Sequence, residues 1–237
     1  MPGYVIHLAE ARRVIDALEA HTVLSEEWKQ SFLTGNLLPD TRLYEDKVIS
    51  HFWDPEGGAL LERAPVLDRF LGKYGHKLPD PLLLGYLMHL HLDAAYVAHY
   101  WPGVIAFYDE EGRPQKLRER IRYVYIKRMD TMVPLEDFFS VAYYYGDYTR
   151  MNDYFIGKYD LKLPDWRRIR HFDMEEVRLE DMQMICDNLN QLLREYHEGA
   201  PEPLQVFDLE DLEAFVLRTA DTFIKEYGSY LPGEICT

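Results

Sequence analysis

The stretch "GYLMHLHLDAAYVAHYW", residues 85–101, is apolar almost from end to end, yet it carries His89, His91, Asp93 and His99. A carboxylate in apolar surroundings is costly unless something neutralises it. Imidazoles beside a carboxylate suit either a bound metal ion or a buried hydrogen-bonded network. If the segment is helical, His89 and Asp93 lie one turn apart on one face, so a ring nitrogen and a carboxylate oxygen can converge on one point. His91 then projects to the opposite side. His99 falls roughly 80° around the axis from His89, which places it toward a second ion rather than the first.

Further metal-capable groups stand in equally apolar company. In "GNLLPDT", Asp40 follows Pro39 in a loop leaving a helix. In "VISHFWD", His51 is bracketed by Ile49, Phe52 and Trp53, and His7 sits between Ile6 and Leu8. A mixed set of histidines and carboxylates suits zinc, iron or manganese and is too rich in nitrogen for calcium or magnesium. The same residues also allow a plainer reading, a non-catalytic helical protein with a structural metal or a buried polar network.

The order of these pieces resembles the bacterial zinc-dependent phospholipase C family, whose more distant relatives are the zinc-dependent single-strand nucleases. A histidine near the start is followed by Gly-x-x-x-Pro-Asp, then Ser-His-Phe, then Leu-Leu-Gly-Tyr-x-x-His-x-x-x-Asp, over residues 4–101. The resemblance implies an all-α multi-helix fold with one to three zinc ions in a cleft, and a metal-activated water attacking a small phosphate ester. Asp40, His51, His89 and Asp93 match the motifs of the first site, and Asp93 matches the bridging aspartate. His7 and His99 match histidines of the remaining sites, and Asp40 is also a candidate for activating the water. For the last site His171 and Glu175 in "RHFDMEEV", or Asp147, are the available groups. The start "MPGYVIH" lacks the tryptophan that the family uses as an amino-terminal chelate.

Periodicity is helical nearly throughout, with helices expected at 4–21, 25–35, 41–52, 64–74, 80–101, 114–129, 134–146, 148–159, 180–197 and 208–227. Strand alternation is nowhere sustained, so a single all-α domain over 1–237 is expected. The loops at 110–115 and 196–205 are too short to demand separate domains. The aromatic run at 141–159 and the basic stretch at 118–128 read as packing and as a solvated face.

Composition narrows the function. Of 237 residues, 26 are Lys or Arg and 41 Asp or Glu, a net charge of −15. Duplex nucleic acid binding needs a basic surface and is not expected. The positive potential for a phosphate compound must come from elsewhere, and a metal ion supplies it. No run approaches the ~18 apolar residues of a membrane span. The start does not read as a signal peptide, and Cys186 and Cys236 form no disulfide framework, so a cytoplasmic protein is expected. The chain has no His-Asp dipeptide, Gly-x-Ser-x-Gly elbow or Walker loop.

Overall fold

The computed structural model describes residues 2–42, 46–199 and 202–233. Ten α-helical segments are described: α1 Tyr4–Glu19, α2 Glu26–Leu37, α3 Lys47–Ser50, α4 Leu67–Tyr74, α5 Pro81–Ala95, α6 Trp101–Val104, α7 Leu135–Phe138, α8 Tyr144–Lys158, α9 Met182–Arg194 and α10 Leu209–Tyr227. The fold is mostly helical, 61% helix against 7% strand.

The strands correct the all-α expectation. β1 Ile105–Tyr108, β2 Tyr123–Ile126 and β3 Thr131–Pro134 form an antiparallel sheet in the order β1-β2-β3, with Ile105 opposite Ile126 and Val124 opposite Val133. The helix expected at 114–129 is therefore a turn leading into β2. Val124 and Ile126 are buried while Tyr123 is exposed, so the period of two is present. It runs for only four residues, too few to stand out inside the basic stretch around it. The two helices expected at 134–146 and 148–159 are instead one short turn, α7, and one longer helix, α8. The helix expected at 41–52 is reduced to α3, and residues 43–45 of that span lie outside the described residues, as does Cys236. Cys186 is a free, buried thiol.

Local signals start the helices that matter here. The Ser25 side chain accepts from Trp28 N at the start of α2, with Glu26 and Glu27 in the first turn where the helix dipole favours acids. Asp80 caps α5 by accepting from Leu82 N and Leu83 N, and Pro81 supplies the first helical residue. Residues Leu82 to Asp93 of α5 are all buried, so this is the central helix. It runs on through a π-helical turn at Tyr96–Tyr100 into α6.

Helices α2 and α5 touch backbone to backbone. A Cβ on Gly35 would stand 1.9 Å from Leu82 O, and one on Gly85 would stand 2.0 Å from Phe32 O. Only glycine permits this approach, and it carries the second half of α2 against the first turns of α5. α1 packs across both, burying Val5, Ile6, Leu8, Ala9, Ala11, Val14, Ile15 and Leu18. Among the described residues, no helix is long and apolar enough to cross a membrane.

Candidate metal centre

Four elements deliver polar side chains to one buried point. α1 brings His7 on its first turn, and the 3-10 turn Leu38–Thr41 that follows α2 brings Asp40. His51 stands just after α3, and α5 brings His89 and Asp93. His7, His51 and His89 are 0% exposed, Asp93 1%. Asp40 is 11% exposed and lies at the rim.

The spacing within this cluster is informative. His51 Nε2 lies 3.4 Å from His89 Nε2, and 3.5 Å from both Asp40 Oδ1 and Asp93 Oδ2. His89 Nε2 is also 3.5 Å from Asp93 Oδ2. Good N–H···O hydrogen bonds are about 2.7–3.2 Å long, so these contacts are too long to satisfy the groups. Ligand atoms about 2.0–2.1 Å from a tetrahedral zinc stand about 3.3–3.4 Å from one another. The contacts among His51, His89 and Asp93, and that between His51 and Asp40, are close to the edges of such a polyhedron. On the other side, Asp93 Oδ1 is 3.5 Å from His7 Nε2. Within the cluster, neither nitrogen of His7 and neither oxygen of Asp93 has a hydrogen-bond partner.

Hydrogen bonds behind the cluster aim the rings. His89 Nδ1 is 2.8 Å from Asn36 O, so it donates to that carbonyl and turns Nε2 inward. Ser50 Oγ lies 2.9 Å from His51 Nδ1, and the Ser50 carbonyl is itself held by the Tyr86 hydroxyl at 2.5 Å. Partners of this kind fix the tautomer and orientation of metal-binding histidines. The Asn36 contact depends on the two glycines, since it is the close approach of α2 and α5 that brings the carbonyl to the ring.

Burial and charge set the protonation states. Burial drives His7 down to about 4, helped by its neighbour His89, so it is neutral at physiological pH. Burial likewise lowers His51, with the Lys47 charge assisting. Burial opposes ionisation of Asp93, but His7 and His89 facing it outweigh burial and hold its carboxyl far below the usual range. Asp40 behaves alike: burial works against the charge, and Lys47, 2.7 Å away, does most to restore it. His89 goes the other way: burial works against its charge, but Asp93 and Asp40 beside it outweigh burial and raise the ring above its usual value. Cations bind neutral imidazoles and ionised carboxylates, so binding at this point would release the His89 proton. Two sets of ligand atoms lie within 4.8 Å of one another, His7 with His89 and Asp93, and Asp40 with His51 and His89.

Of the residues singled out by spacing, the structure brings together His7, Asp40, His51, His89 and Asp93. It leaves His99 apart, exposed in the π-helical turn after α5. His91 faces away, as the helix geometry requires, 3.4 Å from Glu226. Asp147 is buried elsewhere and accepts from the backbone N–H groups of Gln205, Val206 and Phe207, which pins that loop to α8. His171 is exposed, and Glu175 pairs with Lys73 at the surface.

Two contributors, and one buried acid near them in sequence, escaped the sequence reading. Lys47 and the Asn36 carbonyl carry no motif. Glu10 is fully buried on α1 with both oxygens unpartnered. A signal for it existed: an acid between Ala9 and Ala11 in the apolar stripe, one turn from His7.

A cavity of about 190 Å³ opens beside the cluster, lined by Trp53, Glu62, Arg63, Tyr96 and Tyr144 among others. The Trp53 ring, which lines it, lies 5.3 Å from the His51 ring. Compared with family models, curated proteins and solved structures, the chain matches none.

Proposed function

We propose that this chain is a metal-dependent phosphoesterase-like hydrolase of the zinc-dependent phospholipase C type, acting on a small phosphate ester. The observation that carries the reading is the convergence of two sets of inward-facing ligand atoms, Asp40 with His51 and His89, and His7 with His89 and Asp93, each within 4.8 Å, with contacts of 3.4–3.5 Å that are too long to satisfy the groups. The donor set favours zinc.

When bound, the ion supplies Lewis-acid charge and activates water near pH 7. The chain's own residues do the rest. His51 and His89 would hold the ion through Nε2, their rings turned by Ser50 and Asn36. Asp93 offers one oxygen here and the other toward His7. Asp40, at the rim and neutralised on one side by Lys47, completes the shell or orients the attacking water. Lys47 adds positive charge at the same edge, which an anionic substrate needs on a chain of net charge −15. The cavity beside Trp53 offers room for the remainder of the ester.

The test is elemental analysis of the protein purified without chelator or affinity-tag nickel, joined to hydrolysis of chromogenic phosphate mono- and diesters. Bound zinc with activity that His89→Ala and Asp93→Ala both abolish supports the reading; full activity in the double variant overturns it. The near-complete burial of His7, His51, His89 and Asp93 favours a second reading, a structural ion in a non-catalytic protein. Tightly held metal with no turnover of any ester supports that one.

A further inference from the structure

If the first ion takes Nε2 of His51, Nε2 of His89, an oxygen of Asp93 and Asp40, little is left for a second. His89 has committed its one inward nitrogen, and its other donates to Asn36 O. What remains is His7 and the second oxygen of Asp93, 3.5 Å apart. Two protein ligands are fewer than zinc sites generally use, which is three in catalytic sites and four in structural ones.

Glu10 lies next to this deficit. It follows His7 by three residues, so the two side chains share one face of α1. It is 0% exposed, and neither of its oxygens has a hydrogen-bond partner. Burial pushes its carboxyl well above the usual carboxylate range, and the charge of Asp93 pushes the same way. His7, Glu10 and Asp93 together bury six nitrogen and oxygen atoms without a hydrogen-bond partner, two on each residue. Leaving a buried polar group unmet costs about 1–3 kcal/mol, and more when it is charged. A protonated Glu10 would shed its charge but would still leave a hydroxyl and a carbonyl unmet.

We infer that Glu10 is a ligand of a second divalent cation, held between His7 and Asp93 and bridged through Asp93 to the first. The inference rests on the metal reading given above and adds to it the residue that makes the second site complete. The Glu10 carboxylate stands back from the sets whose atoms already lie within 4.8 Å of one another. Binding draws it in by rotation of its own side chain. His89 answers the charge of Asp93, and Lys47 is paired with Asp40, so no described cation in the cluster is left for Glu10; a second ion would allow Glu10 to ionise there.

The experiment uses the full chain, stripped with chelator and titrated with zinc alone, with bound metal counted after equilibrium dialysis. Wild type is expected to hold two ions. Glu10→Gln, and Glu10→Met as a second neutral residue of similar length, are expected to keep the first ion. They should bind the second more weakly by more than about tenfold, the lower end of what even outer-shell partners cost. His7→Ala should lose the same ion. Both Glu10 variants remove an uncompensated buried acid, so the metal-free proteins should melt no lower than metal-free wild type, which serves as the folding control. Two ions bound by the Glu10 variants with wild-type affinity overturn the inference and leave the metal reading intact. A single ion in wild type that both variants retain has the same consequence. No ion in wild type overturns both.

Discussion

The imidazoles of His7 and His89 stack face to face, their centroids 3.7 Å apart and their planes 10° from parallel. Two protonated rings at that distance in a buried site repel strongly, so the stack favours at least one neutral ring. His7 is that ring, held down to about 4.

A pH dependence follows. For His7 the folded value lies below the unfolded value of 6.5. Between the two, the unfolded chain binds more protons than the folded one, so stability rises with pH and is lost as pH falls from about 6.5 toward 4. His7 alone contributes up to about 3 kcal/mol across that window. Urea unfolding of chelator-treated protein at several pH values should show this slope, and His7→Gln should flatten it. An unchanged slope in the variant removes the basis for a neutral His7.

Zinc should stabilise the folded chain by mass action, by about 4 kcal/mol when free zinc is about a thousandfold above Kd. Melting of stripped wild type is therefore expected to move upward on adding zinc. Asp93→Asn, which keeps the shape but removes the bridging charge, should show a much smaller shift. Equal shifts in the two proteins would mean that Asp93 holds no ion.

Glycine contacts between α2 and α5 should control both stability and metal affinity. Gly35→Ala and Gly85→Ala each gain helix propensity of about 1 kcal/mol. Each also drives a methyl into a backbone carbonyl about 2 Å away, and overpacking of this kind costs about 1–3 kcal/mol or more. The clash wins, and the shift of α2 separates Asn36 O from His89, so zinc affinity falls with stability. Gly72→Ala is the contrast: its Cβ meets nothing within 4 Å on α4, and it should stabilise the protein by about 0.4–1 kcal/mol. Thermal melts and zinc titrations of the three variants check both halves.

Asp147 should matter for folding and not for metal. Asp147→Asn weakens charge-assisted bonds to three backbone N–H groups and a contact with Arg150. A loss of about 1–3 kcal/mol is expected, with metal content unchanged. His99→Ala, at an exposed position, should alter neither by much. Loss of an ion in either variant would bring that residue back into the centre.

The helical core and the cluster were legible in the sequence for different reasons. Apolar periodicity over α1 and α10, and the unbroken apolar run of α5, are long enough to survive local noise. The cluster showed because ionisable residues at 7, 40, 51, 89 and 93 stood in apolar company, a costly pattern that implies a compensating partner. β1 to β3 were not legible, since four-residue strands carry too few periods to compete with their surroundings.

His89 and Asp93 share a helix face whatever else happens, and that much is a property of the chain's own geometry. Bringing Asp40, His51 and His7 to that face is a matter of long-range packing. It depends on two glycines letting α2 and α5 meet, on the Asn36 carbonyl and Ser50 hydroxyl turning the rings, and on α1 crossing the pair. The exclusion of His99 and Asp147 and the burial of Glu10 were decided at the same level. Helical spacing says which side chains share a face; only the packed chain says which faces meet.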